Sequence, residues 1–196
     1  MSVDLVRSVL VLFVAASFIY GLWLAIPSFY GLPYVPSSPR RIRKALELAH
    51  LNPGEVLYDM GAGDGRVLLA AVRQFGGRAV GIEVSPLQFL LAWINLRIKG
   101  CDQARLVWNN MYNVDLSAAD VVFAHTTASQ APRLRACLEA KLRPGARVVT
   151  VVTDLEGWQP QALDDRDMVF LYTMPPVRGD VGTYLLRKEG QPNNLR

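Results

Sequence analysis

The sequence predicts an α/β protein: a seven-stranded, mostly parallel sheet with helices on both faces and an antiparallel last strand, preceded by an N-terminal helix able to cross a membrane. Three observations carry this. Short apolar runs alternate with segments of helical periodicity from residue 42 onward, a glycine-rich turn joins the first run to its helix, and residues 9–26 contain no charge. Strand and helix in alternation make a parallel sheet whose crossover helices cover both faces. A chain of 196 residues suffices for one core and an appendage.

The uncharged run comes first. Of its 18 residues only Ser17 and Gly21 fall outside the apolar set. At 1.5 Å per residue it spans roughly 27 Å, close to the ~30 Å hydrocarbon core of a bilayer. Tyr20, Trp23, Phe29, Tyr30 and Tyr34 place aromatic rings at or just beyond its C-terminal end, where an interface belt lies, and Pro27 marks the expected helix end. A cleaved signal peptide fits poorly, because the run is long and no small-x-small site follows it. A buried core helix is not required either, since the remaining residues keep an ordinary globular share of apolar side chains. Arg40, Arg41, Arg43 and Lys44 follow the run, against Arg7 and the amino terminus on its other side. The positive-inside rule therefore predicts a single-pass membrane protein with its bulk on the cytoplasmic, or matrix, side. The expected organisation is an anchor over 1–30, a proline-rich connector over 31–40, a catalytic-sized domain over 41–188 and a polar tail over 189–196. The four cations can hold anionic lipid headgroups or form the solvated face of a helix, and the sequence weighs these evenly.

Ile42, Ala45, Leu46 and Ala49 recur at helical spacing and are stopped by Asn52, Pro53 and Gly54. Residues 56–58 form the first strand, 67–75 a helix closed by Gly76, and 79–82 the second strand. Ser85 and Pro86 read as N-cap and first residue of a helix whose apolar face is Leu87, Leu90, Leu91, Ile94 and Ile98. Residues 106–108, 121–123 and 148–152 give three more strands, with a helix near 132–142. Two last strands, near 168–172 and 183–187, are joined by a loop too short for a crossover and are expected to pair antiparallel.

Composition excludes several classes. Apolar residues make up 51% and charged residues 19%, so the chain is not disordered or low-complexity. Two cysteines, Cys101 and Cys137, and two histidines, His50 and His125, assemble neither a metal site nor a CxxC redox pair. The net charge of +4 is a mild excess, which argues against a nucleic-acid partner.

The chemistry concentrates in residues 59–66, Asp-Met-Gly-Ala-Gly-Asp-Gly-Arg, between strand and helix. Glycines at such a turn let a ligand approach the backbone. A dinucleotide fingerprint needs glycine at 66 or 68, and those positions hold Arg66 and Leu68. Asp59 at the strand end suits a cationic ligand instead, and Glu83, ending the second strand, can accept both hydroxyls of a ribose.

Together with the Leu-x-Pro-Gly-x-x-Val entry to the fifth strand over 142–148, these residues make the chain resemble the class I S-adenosylmethionine-dependent methyltransferases over roughly 33–187. Within them it is most similar to the small archaeal and membrane-anchored mitochondrial protein-lysine methyltransferases, through residues 33–37, Pro-Tyr-Val-Pro-Ser, residues 61–66, and residues 157–160, Gly-Trp-Gln-Pro. The resemblance implies a Rossmann-like sheet, S-adenosylmethionine as cofactor, and a protein substrate, itself a membrane protein. It implies cofactor contacts from Tyr34, Pro36, Ser37, Asp59, Gly61, Ala62, Gly63, Asp64, Glu83, Asn110 and Met111. Tyr34 and Trp158 are implied to flank the acceptor channel as catalytic aromatic groups.

Two departures bear on this. Asn110 stands where the family usually has an acid that meets adenine, though an amide oxygen also accepts from an amino group. Residues 124–127, Ala-His-Thr-Thr, replace the Asp/Asn-Pro-Pro-Tyr of enzymes that methylate amides or bases. His125 is a candidate base or a structural histidine, and Asp64 either orients the methionine amine or favours a helix N-terminus. A lipid or lipophilic small molecule as acceptor, and a non-catalytic cofactor-binding membrane scaffold, are the competing readings.

Overall fold

The computed structural model describes residues 3–29 and 36–189, with side chains over 4–21 and 36–187. The chain divides into two compact units, Met1–Tyr34 and Val35–Arg196. The first contains helix α1 (Val3–Phe29), which runs two residues past the expected stop at Pro27. Its window Asp4–Gly21 has a mean hydropathy of 1.7 and no buried side chain, so by length and composition it is able to cross a membrane.

In the second unit helix α2 (Pro39–Leu48) precedes β1 (Val56–Met60), α3 (Arg66–Phe75), β2 (Arg78–Glu83), α4 (Pro86–Ile98), β3 (Ala104–Trp108) and β4 (Val121–His125). Then come α5 (Ala131–Lys141), β5 (Arg147–Val151), β6 (Ala162–Asp164), β7 (Val169–Thr173) and α6 (Val181–Glu189). The seven strands lie in the order β3-β2-β1-β4-β5-β7-β6. The first five are parallel, while β7 runs antiparallel to both β5 and β6. The chain therefore winds outward from β1 to β3 and returns to β4 on the other side of β1. That reversal opens a crevice at the C-terminal ends of β1 and β4, where open α/β sheets take their ligands.

Local signals set the helices. Ser38 accepts a hydrogen bond from the Arg41 N–H and Pro39 fills the first turn of α2. The predicted face Ile42, Ala45, Leu46 and Ala49 is buried, and α2 lies on α3, β5 and β7. Leu57, Val121, Phe123, Val149 and Val151 form the core beneath it. The cations on α2 are engaged by acids: Arg40 with Asp167 at 3.1 Å, Arg43 with Glu47 at 2.8 Å and Lys44 with Asp164 at 3.3 Å. This favours the solvated-face reading over a headgroup site, because most of the positive charge is already matched.

Three sequence expectations are corrected. Residues 183–187 belong to α6 and not to a strand, because Asp180 accepts from the Thr183 N–H at 2.6 Å and caps a helix there. The antiparallel edge is supplied instead by β6, three residues too short to show a period. The third correction concerns α4, whose buried residues are Ala92 and Leu96. Leu90, Leu91, Ile94 and Ile98, the stripe expected to face the core, are exposed.

Gly81 in β2 shows how tightly the crevice is backed. A Cβ there would lie 2.5 Å from Leu68 Cδ1 and 2.8 Å from Ala62 Cβ. Gly81→Ala is expected to destabilise the catalytic unit by about 1–3 kcal/mol, as overpacked cores do. Urea unfolding checks this, and an unchanged midpoint would refute the packing argument.

Candidate active site

The last residues of β1 and the loop after it form the floor of the crevice. Asp59, penultimate in β1, is 2% exposed, and its Oδ2 has no hydrogen-bond partner among the described residues. Burial pushes its carboxyl well above the usual carboxylate range, and the negative charges of Glu83 and Asp64 push it further. An acid left in that condition marks a place built for something other than stability.

The loop over 61–65 reaches the helix through three glycines at positive φ, Gly61 (134°), Gly63 (54°) and Gly65 (81°). Side chains rarely adopt those conformations, so the turn requires glycine. Glu83 braces it. The Gly63 N–H donates to Glu83 Oε2 at 2.8 Å, while Val84 and Ser85 N–H groups donate to Oε1 at 3.0 and 2.8 Å. Its carboxyl is nonetheless raised, because burial outweighs the three donors. A carboxylate offers about four acceptor sites, so three are taken within the chain. One site on Oε2 remains for a hydroxyl, where the sequence suggested two.

The crevice also has a clamp that the sequence did not single out. Arg66 grips Asp64 through Nε at 2.9 and 3.1 Å and Nη2 at 2.6 Å, and donates from Nη1 to the Ser37 carbonyl at 3.1 Å. Ser37 is buried and its Oγ lies 2.9 Å from Nδ1 of His125, the last residue of β4. The segment ahead of α2 is thus tied to the glycine loop and to β4 at once. Thr126, next along, is buried with its Oγ1 unpartnered among the described residues. In the sequence Arg66 served only to exclude a dinucleotide fingerprint and to close the 61–66 motif, with no contact assigned to it, and Thr126 gave no signal.

Of the other expected site residues, Ala62 is buried against β2 and its N–H donates to the Ile82 carbonyl. Pro36 is exposed beside Ser37. Asn110 Oδ1 accepts from the Tyr112 N–H at 3.0 Å, capping a short turn that buries Met111. Tyr34 lies outside the described residues. Trp158 is 1% exposed, donates to Glu139 on α5 at 2.9 Å and packs edge-on against Tyr172. The loop after β5 places Trp158 beside Tyr172 of β7, whose hydroxyl accepts from the Leu155 N–H of the same loop at 3.0 Å.

An anionic floor with an orphaned carboxylate oxygen fits a ligand bearing cationic centres and hydroxyls better than one bearing phosphates. S-adenosylmethionine has a sulfonium, an ammonium and a ribose, and these residues fit it. Residues 59–162 match the family model described as the ANTKMT methyltransferase domain. The chain is similar to the protein-lysine N-methyltransferase of Saccharolobus islandicus (strain REY15A), 33% identical over 151 residues, 73% of this chain and 94% of that one. It is also similar to the adenine nucleotide translocase lysine N-methyltransferase of Mus musculus, 34% identical over 151 residues, covering 75% of this chain and 65% of that longer one. Among solved structures, an RNA methyltransferase from Salinibacter ruber in complex with S-adenosyl-L-homocysteine matches with a TM-score of 0.71 and 34% identity, over 74% of this chain and 98% of that one. The chain belongs to the ANTKMT methyltransferase family, and it is an S-adenosylmethionine-dependent methyltransferase.

Proposed function

We propose that this enzyme methylates the ε-amino group of a lysine in a membrane protein, with α1 crossing the bilayer once and the catalytic unit on the cytoplasmic or matrix side. The observation that carries the acceptor is the match to a protein-lysine N-methyltransferase over nearly the whole of that relative. The buried Asp59 carboxylate, whose Oδ2 has no hydrogen-bond partner among the described residues, supports the donor site. The name of the solved relative points to RNA. Against RNA stand the mild net charge and the pairing of the α2 cations with acids.

When bound, S-adenosylmethionine supplies a methyl group on an electrophilic sulfonium. Asp59 meets a cationic centre of the ligand, Glu83 Oε2 a ribose hydroxyl, and Asn110 and Met111 flank the base. Gly61, Ala62, Gly63 and Asp64 form the backbone cradle, with Pro36 and Ser37 across from it. From the family resemblance we assign Tyr34 to the acceptor channel as an aromatic group. The chain's main contribution is to hold nucleophile and methyl in line in a site that excludes water. A lysine ammonium, ordinarily near pKa 10.4, must first lose a proton, and an apolar channel favours the neutral amine.

Asp59 gives a prediction with a worked sign. Its folded pKa lies above its unfolded value, so the folded protein binds more protons and the ligand-free enzyme loses stability as pH rises from about 4 through the raised value. Asp59→Asn is therefore expected to raise the ligand-free Tm at neutral pH by a few degrees, roughly 1 kcal/mol. It is also expected to weaken cofactor binding by at least about tenfold, or 1.4 kcal/mol. Calorimetry showing undiminished affinity would remove Asp59 from the site. Glu83→Gln presents an amide nitrogen to one of the backbone donors, and is expected to loosen the glycine loop. Faster amide exchange over 61–65, with weaker binding, is the outcome to look for; unchanged exchange would show that Glu83 is not the brace.

Incubation with methyl-tritiated S-adenosylmethionine and extracts of the source cell tests the acceptor. Label recovered as methyl-lysine in membrane proteins is expected. Label confined to lipid, to RNA or to soluble protein would overturn the acceptor assignment.

A further inference from the structure

Helix α4 has two apolar faces and the fold uses one. Ala92 and Leu96 face the sheet. On the other side Leu90, Leu91, Ile94 and Ile98 recur at 3.6-residue spacing, and with Trp93 and Trp108 they are 37–78% exposed. Trp108 stands on the edge strand β3, its ring 6.3 Å from Phe89 of α4 and its indole N–H bonded to the Val84 carbonyl, so it extends the same surface toward the crevice. Soluble proteins rarely expose so contiguous an apolar surface without a partner.

We propose that this face of α4 and β3 lies on the surface of the bilayer that α1 crosses, so that the crevice opens close to the lipid headgroups. The inference rests on the reading of α1 given above. Three observations select a lipid surface. No acidic residue occurs from 84 to 101, while Arg97, Lys99 and Arg105 are exposed around the apolar stripe, a complement to anionic headgroups. Arg97 lies over the Trp93 ring at 5.7 Å, the pairing of cation and indole that suits an interface. Only nine residues, 30–38, separate α1 from α2, a connector whose full extension is roughly 35 Å. A tether that short makes even a weak apolar contact effectively intramolecular.

The test uses the full chain carrying Cys101→Ala and Cys137→Ala, with Leu91→Cys labelled by the dye NBD and, as control, Ser117→Cys on an exposed loop. The proteins are reconstituted into phosphatidylcholine and phosphatidylglycerol vesicles with and without a lipid bearing a doxyl quencher high on its acyl chain. The dye at 91 is expected to lose about half its emission to the doxyl lipid, as an interfacial helix does, with the dye at 117 unaffected. Protein that floats with the vesicles while position 91 stays open to aqueous iodide would overturn the inference and leave the anchor intact. Position 91 shielded from iodide but not quenched by doxyl lipid would show a protein or second-copy interface there, and would also overturn it. Protein that fails to float would overturn both the anchor and the docking.

Discussion

Three backbone N–H groups converge on the carboxylate of Glu83, and the functional end of the sheet depends on that arrangement. Two of them come from the chain leaving β2 and one from the glycine loop leaving β1, so a single side chain sets the spacing between neighbouring strand ends. Charge-assisted hydrogen bonds of this kind contribute ~1.5–3 kcal/mol each. Burial still holds the Glu83 carboxyl above its ordinary value, so desolvation exceeds what the donors return. Asp59 is buried more deeply, with no donor to Oδ2 among the described residues. The floor of the crevice is accordingly a region where stability has been given up, and a cationic ligand is the species that restores it.

The rim is organised by a second set of contacts. Arg66 joins Asp64 of the loop to the Ser37 carbonyl, and Ser37 Oγ meets His125 at the end of β4. The residues that lead into α2 are therefore held by a side chain from the start of α3 and one from the C-terminal end of β4. His125 is engaged with Ser37, which favours its structural role over that of a base. The acceptor amine is then best deprotonated by the environment of the channel, in keeping with a displacement that asks for positioning more than for acid–base groups.

What the sequence disclosed follows from where one signal had one cause. The first five strands were readable because parallel strands covered on both faces become continuous apolar runs, as in Val121, Val122 and Phe123. Asp59 and Glu83 were readable because each terminates such a run with a charge that the core does not want. The misreadings arose where two causes share a signal. The stripe Leu90, Leu91, Ile94 and Ile98 has the period of a core face, yet the smaller Ala92 and Leu96 take the sheet side, since close helix-sheet packing admits Ala92 beside Gly65, where an added Cβ would lie 3.2 Å from it. Residues 183–187 hold a short run, Tyr184-Leu185-Leu186, that suits a strand as well as a helix, and a single carboxylate, Asp180, caps them as a helix. The clamp made by Arg66 escaped notice because its second partner, the Ser37 carbonyl, is brought to it only by the fold.

The two-sided character of α4 connects these levels. A helix apolar all round belongs inside a protein or beside lipid, and β3, the edge strand next to it, leaves nothing of the sheet to cover its outer side. Extending the sheet beyond β3 would bury the stripe and also wall off the ribose side of the crevice. Leaving it bare keeps that end of the site open at the cost of an apolar surface that water does not solvate well. Under the proposal that α1 spans a membrane, the bilayer is the covering that solves this without adding residues. The same contact would bring the catalytic rim to the depth at which an acceptor lysine, snorkelling from a membrane helix to the headgroups, presents its amine.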